Sequence, residues 1–366
     1  MITVSSPIIE TPRVAQLRGL FDLPPSITAL ESWDPPDILS ALATRPWNIG
    51  LIYGPSGCGK STIANHLFPI AARPALPPVN PATIIDLFSP DLPIRTVTDL
   101  LSSVGFSSPP SWLKPFHVLS TGQQFRALMA LTLASGRPRT PILIDEYTSV
   151  IDRTVARIGS AAIAKTIRRM DLQTIMVTCH DDVLAWLQPD WTYTPCENKF
   201  SWRLLHPRPP IHIDIVRTTI HAWPLFAPHH YLTAAIHPAA RCFLASLDQT
   251  PVAFSSWLHH FAPGPPAKRE HRTVCLPDFQ GVGIGNALSA TIASMWTSLG
   301  FSAFSTTTHP SMIASRRRSP LWTMHRAPSL GKLADSIPHD CTRLTAGFSY
   351  TGPKMSHLVA KTLLAL

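Results

Sequence analysis

Charge is scarce in this sequence: Asp, Glu, Lys and Arg together make up only 14% of 366 residues, whereas hydrophobic residues make up 45%. Such a chain can bury cores, and it lacks the polar, highly charged composition of disorder. No apolar run approaches the about 18 to 20 residues needed to cross a bilayer. Even Ala127–Ala134 stops at Ser135, Gly136 and Arg137. The opening residues Met1–Pro7 lack the basic stretch and apolar core of a secretory signal, and the six cysteines stand singly with no CxxC pair. The expectation is a globular protein with no membrane span, reduced thiols and a cytoplasmic location.

Proline, by contrast, is abundant. The 38 prolines cluster at Pro35–Pro36, Pro77–Pro78, Pro109–Pro110, Pro207–Pro210 and Pro263–Pro266, where they mark loops and joints. A chain of 366 residues suits two domains, and the joint near Pro207 divides it into 1–205 and 206–366. A net charge of +9 favours contact with something anionic. Nucleotide and coenzyme phosphates would account for part of it, and nucleic acid is a further candidate partner.

In the first half, Trp47–Tyr53 reads as a strand that runs into Gly54, Pro55, Ser56, Gly57, Cys58, Gly59, Lys60 and Ser61, with helical character over Thr62–Phe68. The spacing fits a phosphate-binding loop: backbone N–H groups face the phosphates, Lys60 neutralises the β and γ groups, and Ser61 can hold Mg²⁺. A chance glycine-rich turn is the bland alternative. A second acidic element, Pro141–Glu146, reads as a buried strand that sets Asp145 at the metal and lets Glu146 polarise an attacking water. Between them, Leu119–Ala134 is a small polar turn opening a long apolar helix. Ser120 and the N–H groups after it suit an anion, or Ser120 is a plain N-cap.

The run Leu119, Ser120, Thr121, Gly122, Gln123 resembles the signature loop of ABC ATPases, with Thr121 replacing the first glycine. In the same order, Ser149–Asp152 resembles the family's D-loop, and the strand Thr174–Cys179 delivers His180, which resembles its switch histidine. The resemblance implies an ABC-type P-loop NTPase α/β domain that uses ATP and Mg²⁺. It also implies a homodimer through the ATPase domains, each copy trapping nucleotide between its own Gly54–Ser61 loop and the other's Ser120–Gln123 turn. Glu146 and His180 would be catalytic, Ser61 and Asp145 would hold the metal, and Thr62 and Asp152 would border the nucleotide. No glutamine lies between Ser61 and Gly122, where transporter members carry a Q-loop that contacts the metal and the membrane partner. Asp86 is the nearest polar candidate there, which weighs against coupling to a permease.

Beyond Pro210 the pattern changes. Ile211–Thr219, Ala240–Leu247, Val252–His259 and Arg272–Pro277 read as strands of a mixed sheet, with a turn at Asp248–Gln249, a helix over Asn286–Leu299, a strand over Phe301–Thr308 and a helix over His309–Arg318. Between strand and helix lies Gln280, Gly281, Val282, Gly283, Ile284, Gly285. A dinucleotide-binding register is not met, because position 288 is Leu288 and no acid ends a strand about 20 residues later. The run resembles the Q-x-x-G-x-G pyrophosphate loop of GNAT acetyltransferases, which implies a GNAT-like acyl-CoA N-acyltransferase α/β domain, acetyl-CoA as cofactor and an amine acceptor. Many members place a tyrosine on the helix over Ser311–Pro320; Arg316, Arg317 and Arg318 stand there instead, open to three readings as coenzyme-phosphate ligands, substrate ligands or a solvated basic face. His259, His260, His271 and Asp278 are all candidate general bases. His229, His230, Tyr231 and Leu232 either stack on a flat acceptor such as a nucleobase or simply pack.

Taken whole, the chain resembles soluble proteins in which an ABC-type ATPase is fused to a GNAT-type acetyltransferase. Two other expectations stand beside acetyl transfer: a nucleic-acid-associated ATP clamp with a degenerate second half, and a transporter ATPase subunit.

Overall fold

The computed structural model describes residues 1–24, 28–78, 82–137, 140–203, 207–230, 235–261, 264–330 and 344–365. The N-terminal half runs β1 (Ile2–Pro7), α1 (Pro12–Phe21), β2 (Thr28–Trp33), α2 (Ile38–Ala43), β3 (Ile49–Tyr53), α3 (Lys60–Leu67), α4 (Ile94–Ser103), α5 (Pro109–Trp112) and α6 (Thr121–Ala134). It continues with β4 (Ile142–Ile144), α7 (Arg153–Met170), β5 (Thr174–Thr178), α8 (Leu184–Leu187), β6 (Trp191–Thr194) and β7 (Lys199–Trp202). Five strands form a sheet in the order β4-β5-β3-β6-β7, parallel except for β7. Strands β3, β4 and β5 are buried on both faces, as strands of a covered parallel sheet are. β1 and β2 make a separate antiparallel pair before the sheet.

The C-terminal half comprises β8 (Asp214–Thr218), β9 (Arg241–Leu247), β10 (Thr250–His260), β11 (Ala267–Cys275), α9 (Ile284–Ser298), β12 (Ser302–Thr307), α10 (Pro310–Arg318), β13 (Trp322–Leu330), β14 (Leu344–Tyr350) and α11 (His357–Leu364). Its seven strands lie in the order β13-β14-β12-β11-β10-β9-β8, all antiparallel pairs except β11 with β12. Asp248 and Gln249 both have positive φ, 47° and 65°, which is the backbone a two-residue hairpin between β9 and β10 demands. The division expected at 205/206 lies outside the described residues; Pro207–Pro210 follows without regular structure.

The parallel pair β11–β12 holds register for only three rungs, from Ala267↔Ser302 to Arg269↔Phe304. Beyond them, on the side covered by α9 and α10, Arg316 and Glu270 form an ion pair at 2.8 Å, with side chains 2% and 6% exposed. Arg316 also donates to Ser289 Oγ at 2.8 Å and to Ser305 Oγ, and its guanidinium lies 4.5 Å over the Trp322 ring. Burial alone would raise the Glu270 carboxyl, but Arg316 and the hydroxyls of Ser305 and Thr273 hold it below its ordinary value. Arg316 therefore leaves the set of three surface arginines; only Arg317 and Arg318 are exposed.

Candidate functional site

At the carboxyl end of β3 the chain turns through Gly54–Gly59 into α3. Gly59 is the N-cap of α3 with φ 80°, and a Cβ there would lie 2.3 Å from the Trp33 indole, so both backbone and space require glycine. The turn borders a cavity of about 550 Å³ lined by Ser56, Gly57, Gly59, Lys60, Ser61 and Thr62, by Asp145 and Glu146 after β4, by Val177–Cys179 of β5 and beyond, and by Glu31 and Trp33 of β2. Lys60 Nζ donates to the Pro55 carbonyl at 2.6 Å, which folds the loop over the ammonium. Ser61 Oγ donates to Asp145 Oδ1 at 3.0 Å, and Asp145 Oδ1 also accepts from the Glu146 N–H at 2.9 Å. Glu146 has φ 51°, a left-handed backbone that costs free energy in a non-glycine residue and recurs at functional sites.

Two hard oxygens at the head of α3 beside an ammonium suit Mg²⁺ bridging to phosphate, which keeps several ligands from water and substrate. Among the described residues no group of three or more His, Cys, Asp or Glu side chains forms a metal cluster of its own. Cys58, within the loop, contacts Cys196; burial first and that contact second push its thiol up, against the opposing charge of Lys60. His180 follows Cys179 directly but does not line the cavity. Trp33 and Glu31 escaped the sequence reading because they lie on the β1–β2 pair, with no motif spacing to link them to the loop.

The turn Ser120–Gln123 lies elsewhere. Ser120 caps α6 in a reciprocal box: its Oγ accepts from Gln123 N at 3.4 Å, and Gln123 Oε1 accepts from Ser120 N at 3.3 Å. Ser120–Gln123 do not line the cavity of their own chain. Asp152 is the N-cap of α7, accepting from Thr154 N at 2.8 Å.

The C-terminal glycine turn has a different environment from the one expected. Gln280 is buried, and its amide is used within the protein: Oε1 accepts from Ser107 N at 2.6 Å and Nε2 donates to the Cys275 carbonyl at 2.8 Å. Arg126, on α6 and fully buried, donates to the carbonyls of Gly105 at 2.9 Å, Gln280 at 3.1 Å and Asp278 at 2.5 Å. Burial lowers its guanidinium to about 10, and the Asp278 charge opposes that shift. A Cβ on Gly281 would lie 2.7 Å from Ala162 Cβ and 2.8 Å from Gly105 Cα; one on Gly122 would lie 2.8 Å from Asp278 Oδ1. His309 Nε2 meets the Ser107 carbonyl at 3.3 Å, and its ring lies 6.4 Å from that of Trp112. Gln280 and Gly281 thus join the two halves. Gly283, with φ 95° and nothing within 4 Å of the place a Cβ would take, borders open space before Ile284 and Gly285 enter α9. In this turn Gln280 is buried and Val282 packs partly on the core below, whereas Gly281 and Gly283 are exposed.

Of the candidate bases, Asp278 is tied to α6 through its backbone, and burial with neighbouring cations lowers His271 to about 4. His230 packs edge-on against Trp223 at 5.7 Å, and burial lowers His229; Tyr231 and Leu232 lie outside the described residues.

The protein is mixed α/β, with a cavity beside the glycine-rich turn at the head of α3. Among solved structures, the chain is similar to cbiO1 of Clostridium perfringens, part of the ABC transporter complex cbiONQ, at 20% identity and TM-score 0.33, covering 40% of this chain and 72% of that one. It is also similar to an ATP-binding cassette of an ABC transporter in its ADP conformation, at 13% identity and TM-score 0.32, covering 46% and 80%. No family model and no curated protein matches the chain. Among the described residues no helix is long and apolar enough to cross a membrane.

Proposed function

We propose that this protein is an MgATP-hydrolysing switch that closes as a homodimer and moves its C-terminal half through the signature helix. The observation that carries the reading is the Ser61–Asp145 pair at 3.0 Å beside Lys60 on one cavity. Lys60 and the loop N–H groups would hold the phosphates, Ser61 and Asp145 the Mg²⁺, and Glu146 would orient the attacking water. Trp33 gives a flat base a face on which to stack. Because Ser120–Gln123 stand away from their own cavity, a second copy would complete it. His180 and Asp152 would act at that closed interface.

Arg126 supports the link to the second half, since it lies on the helix opened by Ser120 and grips the Asp278 and Gln280 carbonyls. The acetyl-transfer expectation finds no supporting site, and the clamp reading with a nucleic-acid partner is favoured in its place. A transporter-subunit reading is also consistent with the fold; α5 and the segment at Ser107 make contacts with the C-terminal half. Phosphate release with Mg²⁺ present, together with light scattering of a Glu146→Gln variant, tests the switch: hydrolysis by the wild type and an ATP-dependent dimer of the variant are expected. No hydrolysis and no nucleotide-dependent association would end this reading. Calorimetry with acetyl-CoA is expected to show no binding; binding that Gly283→Glu abolishes would restore the transferase.

A further inference from the structure

The C-terminal sheet has one face covered by α9, α10 and α11. The other face is covered at one end, where Trp223 and Phe226 pack on Phe254, Cys242 and Val274. At its opposite end the strands present a row of polar and aromatic side chains. His260 on β10 lies 5.6 Å from Phe304 on β12, and Phe304 lies 5.7 Å from His325 on β13. Arg269 on β11 is the register partner of Phe304 and is exposed. Arg326, next to His325, is exposed and donates to Thr345 Oγ1 at 3.2 Å. Phe261, one residue beyond β10, is 97% exposed.

No acid balances this row among the described residues. The charged neighbours acting on His260 are Arg269 and His325, and the one acting on His325 is Arg326. Glu270 points to the opposite face, into its pair with Arg316. The imbalance extends to the half as a whole: residues 206–366 contain 14 Lys and Arg against 6 Asp and Glu, whereas residues 1–205 contain 17 against 16. Nearly all of the net charge of +9 therefore lies on the half that carries this face.

We infer that the face formed by His260, Phe261, Arg269, Phe304, His325 and Arg326 binds single-stranded nucleic acid, with phosphates at the two arginines and bases against the aromatic rings. Guanidinium groups take up phosphate and release counterions, and an exposed ring stacks on any base that is not already paired. A lipid surface or a protein acid would satisfy the arginines but not a ladder of ring edges with an outlying phenyl group. The inference rests on the nucleic-acid part of the clamp reading and not on hydrolysis.

The test is fluorescence anisotropy of the full chain with a fluorescein-labelled 20-mer of deoxythymidine, without nucleotide, at 50 and 200 mM KCl. Expected are saturable binding, weakening by about tenfold between the two salts, and a further loss of at least about tenfold in the Arg269→Glu/Arg326→Glu variant. Phe261→Ala is expected to cost about fivefold or more for the 20-mer and nothing for heparin. All three positions are exposed, so thermal midpoints should stay unchanged and a folding defect is distinguishable. Absence of binding, or binding indifferent to the charge reversals, overturns the proposal; equal effects of Phe261→Ala on the 20-mer and heparin reduce the face to a general polyanion site and overturn it as well. Since no nucleotide is present, failure here leaves the ATP switch standing, and failure of hydrolysis leaves this surface standing.

Discussion

Two turns in this chain share one local plan and have opposite surroundings. Gly54–Ser61 and Gln280–Gly285 each follow a strand, pass through a left-handed glycine at the helix N-cap, Gly59 with φ 80° and Gly283 with φ 95°, and open a helix. The first turn opens onto a cavity with Lys60, Ser61 and Asp145. The second has its leading glutamine and glycine pressed against Ser107, Gly105 and Ala162, with the Arg126 guanidinium on their carbonyls. A glycine-rich helix N-terminus is an anion site only when its N–H groups stay accessible. Here the first turn borders a cavity, whereas the second, through Gln280 and Gly281, joins the two halves of the molecule.

The comparison can be broken at four points. The largest effect is expected at Arg316→Met, which leaves Glu270 buried without its cation and should cost about 3–5 kcal/mol in a urea titration. If the loss is under about 1 kcal/mol, the space between β11 and β12 is not held by that pair. The pH dependence has a defined sign. Because the folded Glu270 carboxyl lies below its ordinary value of 4.5, its stabilisation is complete above that pH and disappears as the pH falls through the lower folded value. Glu270→Gln should therefore flatten the acid limb of the unfolding curve.

Next comes Lys60→Ala, expected to lower phosphate release by about 10²–10³-fold, the usual loss when one preorganised group is removed from developing charge. An unchanged rate would mean that the cavity is not the hydrolytic site. Arg126→Met removes three hydrogen bonds from a charged donor and should lower stability by about 3 kcal/mol; the sharper readout is protease cutting near Pro207–Pro210, expected to accelerate as the halves separate. Unchanged cutting would show that the join does not depend on that side chain. The smallest effect is expected for Trp33→Ala, about fivefold in nucleotide affinity by calorimetry, in line with about 1 kcal/mol for an aromatic contact. No change would remove Trp33 from the base-binding wall.

Much of the N-terminal site was legible because its residues lie in short motifs whose spacing is set by local backbone. Lys60 and Ser61 follow the glycines that shape their loop, and Asp145 and Glu146 end an apolar strand. The strands Ile49–Tyr53 and Thr174–Thr178 and the helix Thr121–Ala134 fall within a few residues of their expected limits, since each is a continuous apolar run with clear end signals. β13 and β14 were not foreseen, for Trp322–Leu330 and Leu344–Tyr350 have mixed patterns that depend on pairing with each other and with β12. Nor was the N-terminal β1–β2 pair, so Trp33 was missing from the site.

By itself the sequence determined the local devices: a phosphate-type turn, a capped signature helix, a strand ending in two acids and a second glycine turn. It could do so because capping, glycine conformation and apolar periodicity act over a few neighbouring residues. Only the tertiary structure decided which turn joins the two halves. Arg126 and Gln280 are 154 residues apart, and their contact exists only once the two halves have packed against each other.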